Sequence, residues 1–266
     1  MIKENDKFVS EEQLKKYAEL AVRMGVNVQK NQLVVIHSDI ECVTFARLIQ
    51  TAAYDAGASN VVMDWTDEQS TKEFYLHAAD EAIDHFPDWE NARFKEWDDV
   101  GAAHIHIISE KPDFFKEVSP ERISRFQKAY RTKLKAHYAK TRSYEIRWCL
   151  LVVPNVVWAM KVFPHLKKEE ALQALWQFIL QGARADGKNP IKDWENHDSA
   201  FESRKKFLNN SQFKALHFTN SRGTNLFVGM PKIISISVEV LKIKWGYHSF
   251  RTFPRKKYFP LLINIK

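Results

Sequence analysis

Residues 32–64, QLVVIHSDIECVTFARLIQTAAYDAGASNVVMD, decide the fold. The apolar runs Gln32–Ile36 and Asn60–Asp64 have the length and β-branched content of buried strands. Between them, Cys42–Ala56 has the apolar spacing of a helix, and Gly57 follows where that helix should end. A strand, a helix and a second strand in this order form a β-α-β unit, which predicts neighbouring parallel strands.

Strands and helices keep alternating outside this unit. Further buried strands are predicted at Ala103–Ile108 and Cys149–Val153. Other helices are predicted at Glu11–Met24, Pro120–Lys140, Lys168–Ala185 (ended by Gly187 and Pro190) and Trp194–Leu208. Ser10 is the predicted N-cap of the first helix, and Gly25 is its predicted left-handed cap. This alternation predicts an α/β fold with a mostly parallel open sheet flanked by helices.

The chain divides into three parts. Residues 1–210 form the predicted α/β domain. Two short β-rich runs, Phe213–Thr219 and Leu226–Val228, flank the turn sequence SRGT at 221–224, which predicts a hairpin. We interpret residues 211–232 as the truncated start of a second domain. Residues 233–266 are a separate tail, which we expect to lack a native fold.

Basic charge is concentrated in that tail. The whole chain carries a formal net charge of +7, and residues 233–266 contain seven Lys or Arg against one acid, a balance of +6. Residues 1–232 are left with a net charge of +1. The predicted α/β domain therefore has the near-neutral balance of an ordinary enzyme and gives no general indication of nucleic-acid binding.

Several classes of function have no sequence support. The glycines do not form a dinucleotide fingerprint or a nucleotide-triphosphate loop. No apolar run approaches the length of a membrane span, and the first ten residues do not resemble a secretory signal, so we expect a cytoplasmic protein. Cys42 and Cys149 stand far apart, which is typical of two buried thiols in a reducing compartment rather than of a nucleophile.

Two groups of polar residues are candidate sites. His104 and His106 alternate along a predicted strand and therefore point to one face, as in a two-histidine metal site. Because no carboxylate or third histidine follows at a recognisable spacing, packed strand histidines are the favoured interpretation. His37, Ser38 and Asp39 are predicted to follow a strand end, where α/β sheets often carry functional loops, although an Asp before a helix is commonly a cap.

The predicted helix at Pro120–Arg142 is strongly basic. Its cations alternate with Tyr130 and Tyr138, and they are Arg122, Arg125, Lys128, Arg131, Lys133, Lys135, Lys140 and Arg142. A nucleic-acid or membrane surface is one possible interpretation. A solvated helix face is favoured, because acidic residues nearby balance the charge.

Several stretches resemble the thermophilic metalloaminopeptidase family, which includes aminopeptidases T and S. These stretches are Leu14–Gly25, Trp148–Pro154, WAMKVFP at 158–164, WENH at 194–197, Arg204–Asn209, Phe213–Leu216, GTNL at 223–226 and Pro231–Lys232. The resemblance runs in order along residues 1–232 and stops at Ile233. In the family, a Gly-rich turn and a stretch similar to Asn-Ile-Pro-Thr-Glu-Glu, followed by Ala-Pro-His, would come next.

The tail is consistent with a shifted reading frame. If each shifted codon takes its first base from a wobble position, Val238–Gly246 can encode Gly-Gly-Ser-Lys-Asn-Lys-Met-Gly. In the same frame Arg251–Lys257 can encode Asn-Ile-Pro-Thr-Glu-Glu, and Pro260–Ile263 can encode Ala-Pro-His. We therefore interpret the tail as out of frame, and Glu239 and His248 receive no functional role.

The resemblance implies a metal-dependent aminopeptidase that releases amino-terminal residues from peptides. It further implies a homodimer at full length and two divalent ions of the zinc, cobalt or manganese type, which activate water for attack on the first peptide bond. The family's metal ligands all follow the point of divergence. We therefore expect this chain to hold no metal and to be inactive, and we assign it no catalytic, metal-binding or substrate-binding residue.

Two alternatives remain open from the sequence. The first is a noncatalytic α/β binding module whose basic tail, Lys242–Lys257, contacts nucleic acid or an acidic partner. The second is a split enzyme in which another polypeptide supplies the metal-binding domain. The favoured interpretation, an aminopeptidase, includes neither a nucleic-acid nor a membrane partner.

Overall fold

A four-stranded parallel sheet forms the centre of the protein. The computed structural model describes residues 8–230 and two short segments, 240–242 and 248–250. The strands are β1 (Leu33–Asp39), β2 (Asn60–Thr66), β3 (Ala103–Ile108) and β4 (Arg147–Val152). Their order across the sheet is β2-β1-β3-β4, and every neighbouring pair is parallel. The predicted α/β fold with a mostly parallel sheet flanked by helices is confirmed.

Ten α-helices lie among the described residues. They are α1 (Glu11–Leu20), α2 (Val43–Asp55), α3 (Glu68–His77), α4 (Asp80–Ile83), α5 (Asp88–Asp99), α6 (Pro120–Lys133), α7 (Lys135–Arg142), α8 (Val156–Val162), α9 (Lys168–Gly182) and α10 (Pro190–Ser211). Four of these, α3, α4, α5 and α8, were not predicted from the sequence. No helix among the described residues combines the length and apolarity that a bilayer span requires.

The β1-α2-β2 unit has the predicted form. A single 3-10 turn, Ile40–Cys42, leads from β1 into α2. Gly57 follows α2 with φ +97°, a left-handed conformation that residues with a Cβ rarely adopt, so the helix ends where predicted. Both strands continue further than the sequence indicated, and β1 includes His37 to Asp39, which were predicted to form a loop.

The first helix confirms one predicted cap and contradicts the other. The Ser10 side chain accepts a hydrogen bond from the Gln13 backbone, and Gln13 reciprocates in a capping box. Past Leu20 the chain continues as a π-helical turn, Ala21–Gly25. Gly25 is therefore not a left-handed cap, and the left-handed residue is Asn27 with φ 46°.

The long basic helix predicted at Pro120–Lys140 is two helices. The chain breaks between α6 and α7 at Leu134, whose side chain is 1% exposed. Leu134 packs with Phe94 and Trp97 of α5 in an apolar cluster. Tertiary packing therefore sets the position of the break, although the helical spacing of the sequence continues through it.

The two faces of the sheet are covered by different helices. One face, which includes Ile36, Ile105 and Leu151, packs against apolar residues of α1, α2 and α9 in the main core. The opposite face, which includes Val35, packs against Phe94 and Trp97 of α5.

A hairpin follows α10. It pairs β5 (Ala215–Thr219) antiparallel with β6 (Asn225–Gly229), as predicted from the turn sequence between them. Two short strands, β7 (Val240–Lys242) and β8 (His248–Phe250), also pair antiparallel. Glu239 and most of the tail lie outside the described residues. The division into residues 1–210, 211–232 and 233–266 stays a prediction.

Candidate functional site

Three polar side chains stand in one row across the sheet. In the strand register, His37 of β1 lies beside Asp64 of β2 on one side and beside His106 of β3 on the other. His104 lies two residues before His106 and shares its face because side chains alternate along a strand. The sheet thus brings an acid and three histidines together from three strands.

A chain of hydrogen bonds links these groups. Arg93 of α5 donates from Nη1 to Asp64 Oδ1 at 2.7 Å, and Asp64 Oδ2 lies 2.8 Å from His37 Nδ1. His37 Nε2 lies 2.9 Å from His104 Nδ1. An ionised carboxylate can only accept, so His37 Nδ1 donates to it. One proton lies between His37 Nε2 and His104 Nδ1, and the tautomers of the two rings decide which nitrogen donates.

The acid in this chain stays ionised. Burial alone would raise the pKa of Asp64, but the hydrogen bond and charge of His37, with the charge of Arg93, hold that pKa below its ordinary value. An ionised Asp64 fixes the His37 tautomer and aims its Nε2 at His104.

His104 and His106 are held neutral. Burial and the nearby rings of His37 and His137 lower the pKa of both groups well below the ordinary value. His104 is 1% exposed, and its Nε2 is buried without a hydrogen-bond partner among the described residues. The His106 ring is half-buried and stacks on His37, with centroids 4.4 Å apart and planes at 7°.

Aromatic side chains enclose the cluster. The ring of Trp97 meets His37 and His104 edge-on at centroid distances of 5.8 and 6.0 Å. Phe94 stacks on His37 at 6.2 Å. On the far side of His104, the His137 ring lies 5.4 Å away, and its Nδ1 is 2.8 Å from Asp98 Oδ1. Aromatic rings therefore surround the histidines, and Asp98 lies beyond the His137 ring.

The cluster has the donor set of a metal site. One ligand nitrogen from each of His37, His104 and His106 lies within 4.8 Å of the other two. The sequence interpretation favoured packed strand histidines for His104 and His106 because it found no third ligand. The structure supplies a third histidine from β1, and it lies 67 residues before His104 in the chain. Spacing along one strand could not have indicated it.

The other two members of the His37–Asp39 group have structural roles. Asp39 accepts hydrogen bonds from the backbone of Glu41 at 2.8 Å and of Glu68 at 3.1 Å, which confirms the cap interpretation. The Ser38 hydroxyl donates to the Asp39 carbonyl at 3.0 Å. Only His37 of the three joins the cluster.

Several cations of the basic helix α6 pair with acidic residues. Arg122 pairs with Asp80, and Arg125 pairs with Asp84 at 2.7 Å. Lys133 lies 2.6 Å from Asp88. Tyr130 and Tyr138 pack towards the α5 cluster rather than outward as a stacking platform. These pairs support the solvated-face interpretation over a nucleic-acid surface.

Comparison with known proteins gives the family. The thermophilic metalloprotease (M29) family matches residues 10–237. The chain belongs to this family. It is 37% identical to aminopeptidase AmpS of Bacillus subtilis over 221 residues, which is 83% of this chain and 54% of AmpS. It is 35% identical to aminopeptidase T of Thermus thermophilus over 217 residues, which is 82% of this chain and 53% of that protein.

A solved structure shows the same fold. Wild-type AmpT from Thermus thermophilus superposes with a TM-score of 0.76 at 32% identity, covering 91% of this chain and 59% of AmpT. The chain thus spans about half the length of the relatives it matches. The resemblance to the metalloaminopeptidase family is confirmed, and the alternative of a noncatalytic module with a nucleic-acid-binding tail has no support from these comparisons.

The histidine cluster does not fit a two-metal centre. Paired hydrolytic ions need several ligands at once, usually including carboxylates that hold both ions. Within residues 8–230, His37, His104 and His106 form the one group of potential ligands close enough to share an ion. The nearest carboxylate, Asp64, is already engaged by His37 and Arg93. The described residues can accommodate one ion with imidazole ligands and not a carboxylate-bridged pair.

Proposed function

We propose that this protein is a metal-dependent aminopeptidase that releases amino-terminal residues from peptides. The supporting observation is the family match over residues 10–237, with relatives that are named aminopeptidases. In this proposal the described part of residues 1–210 supplies the α/β domain of such an enzyme. In this proposal two divalent ions supply the Lewis acid and the activated water, bound by ligands outside the described residues.

The 266-residue chain by itself is proposed to be inactive. The described residues hold one cluster of three or more possible metal ligands, and the nearest carboxylate, Asp64, is already engaged by His37 and Arg93 rather than available to bridge two ions. A cytoplasmic location and a homodimer at full length belong to the same proposal. The location is supported by Cys42 and Cys149, which are buried thiols suited to a reducing compartment.

Hydrolysis of leucine amide tests inactivity directly. The purified chain would be assayed for leucine release with zinc, cobalt or manganese added, and separately with a chelator. We expect the same background rate in all conditions. Metal-dependent release by the purified chain would contradict the proposal, provided that the activity follows the protein through a final sizing column.

A chimera tests the positive part of the proposal. Residues 1–230 would be joined to the carboxy-terminal half of Bacillus subtilis AmpS, the relative with 37% identity. We expect metal-dependent leucine release to return, because the α/β domain and the remainder would again be in one chain. A folded, metal-loaded chimera without activity would show that this domain does not support the reaction.

A further inference from the structure

We propose that His37, His104 and His106 form a binding site for one divalent transition-metal ion of the zinc, cobalt or nickel class. The site lies between strands β1 and β3 and helix α5. Its ion would stabilise the α/β domain rather than carry out hydrolysis. This inference goes beyond the proposed function, because it concerns a single ion held within residues 8–230.

Two of the three donor atoms are close to the separation that a shared ion requires. His37 Nε2 and His104 Nδ1 are 2.9 Å apart, a distance at which two imidazole nitrogens must share a proton or a cation. Two nitrogens bound to one tetrahedral zinc at 2.0–2.1 Å would be about 3.3 Å apart. The His37 and His104 nitrogens would have to separate by about 0.4 Å, and the His106 nitrogen, which lies within 4.8 Å of the other two, would have to approach them to a similar spacing.

The surrounding groups have the arrangement expected around a metal ligand. A histidine that binds a metal generally donates its second ring N–H to a carboxylate, which fixes the tautomer and the ring orientation. Asp64 does this for His37 at 2.8 Å, and Arg93 in turn holds Asp64 at 2.7 Å. Replacing the proton between His37 and His104 by an ion would leave this outer pair unchanged.

His104 is the most deeply buried of the three candidate ligands. Its side chain is 1% exposed, and Nε2 has no partner among the described residues. Buried polar atoms are nearly always hydrogen-bonded, because an unpaired polar group in the interior costs free energy. If Nδ1 binds the ion, Nε2 carries the ring proton and still has no partner among the described residues, so this atom does not itself indicate the ion.

The donor chemistry selects the class of ion. All three donors are imidazoles, which suit zinc, cobalt, nickel and copper, whereas magnesium and calcium require oxygen ligands. Both oxygens of Asp64 are already engaged, so the carboxylate is not a free hard ligand. Three protein ligands leave a fourth coordination position for water.

Metal binding by the intact chain is the first test. The 266-residue protein, produced without a histidine tag and stripped with a chelator, would be dialysed against zinc in excess magnesium. We expect one zinc per chain and an X-ray absorption spectrum with about three imidazole nitrogens at 2.0–2.1 Å. Failure to retain zinc would overturn the proposal. A spectrum dominated by water and carboxylate oxygen would also overturn it, because it would indicate an adventitious ion only.

Variants assign the bound ion to its residues. His106→Gln, which alters a half-buried ligand, should weaken zinc binding by at least 100-fold, and Asp64→Asn should weaken it by about 10–100-fold through the orientation of His37. His77→Gln, at an exposed histidine on α3 with 74% side-chain exposure, is the matched control and should bind as the parent does. Unchanged zinc affinity in a folded His106→Gln protein would reject the site. Because the absorption spectrum uses the unaltered chain, the proposal stays testable if a variant fails to fold.

Discussion

The two faces of the parallel sheet use the same strands for different purposes. On one face Ile36, Ile105 and Leu151 are buried among apolar side chains of α1, α2 and α9. On the other face the alternate positions hold Asp64, His37 and the histidines of β3. Apolar packing is non-directional, whereas each polar group must meet a matching partner at a set distance. The face whose polar groups each need a matching hydrogen-bond partner is therefore the face that carries the candidate metal site.

The largest effect is expected from the apolar face. Ile105→Ala should reduce the free energy of unfolding by about 2–5 kcal/mol, because it removes buried methyl groups and leaves a cavity at a side chain that is 0% exposed. Urea denaturation followed by tryptophan fluorescence measures the change. Val157→Ala on α8, at a side chain that is 55% exposed, is the control and should have little effect. An equal loss of unfolding free energy in both variants would contradict the claim that Ile105 is tightly packed and Val157 is not.

A smaller effect is expected from the polar face. Asp64→Asn keeps the shape of the side chain but removes the negative charge shared by His37 and Arg93. In metal-free protein we expect a loss of about 1–3 kcal/mol, as is typical of buried hydrogen bonds to a charged group. Urea denaturation with a chelator present measures this loss.

An exposed ion pair supplies the control for this variant. Asp99 pairs with Lys95 at the surface of α5, and its side chain is 51% exposed. We expect Asp99→Asn to leave the unfolding midpoint unchanged within error, because exposed pairs are screened by solvent. If Asp64→Asn were equally silent, the carboxylate would not be organising the histidine face.

The fold was predictable from local patterns because its elements are locally encoded. The strand at Ala103–Ile108 was predicted with the observed bounds, and the helix after β1 ended at Gly57 as its sequence required. Helix α5 was missed because charged residues fill most of Asp88–Asp99, while burial depends mainly on Phe94 and Trp97. The break at Leu134 was missed because it depends on contacts with α5, which no local window contains.

The candidate site was only partly predictable for a related reason. The alternation of His104 and His106 on one strand is a local pattern, and the sequence identified it. The contact of His37 with His104 joins residues 67 positions apart and depends on β1 lying between β2 and β3. Periodicity predicts strands but does not give their order in a sheet. The third ligand and the supporting Asp64 therefore became visible only in the assembled sheet.

His104→Leu should have a smaller effect still in metal-free protein. The substitution leaves His37 Nε2 without its partner, which is unfavourable. It also removes a buried Nε2 that has no partner among the described residues, which is favourable. We expect these changes largely to cancel, leaving a loss of no more than about 1 kcal/mol. A loss greater than that of Asp64→Asn in urea denaturation would place the main polar contribution at His104 instead.

The smallest effect concerns the thiols on the apolar side of the molecule, where we expect no reaction at all. Cys149 of β4 is 0% exposed and Cys42 is 4% exposed. Burial raises the pKa of the Cys149 thiol, so little of the reactive thiolate forms even in mildly alkaline solution. Ellman's reagent at pH 8 should therefore label neither cysteine in the native chain and both cysteines after denaturation. Rapid labelling of Cys149 in native protein would show that the apolar face opens readily. The apolar face would then not be the tightly packed face of the sheet.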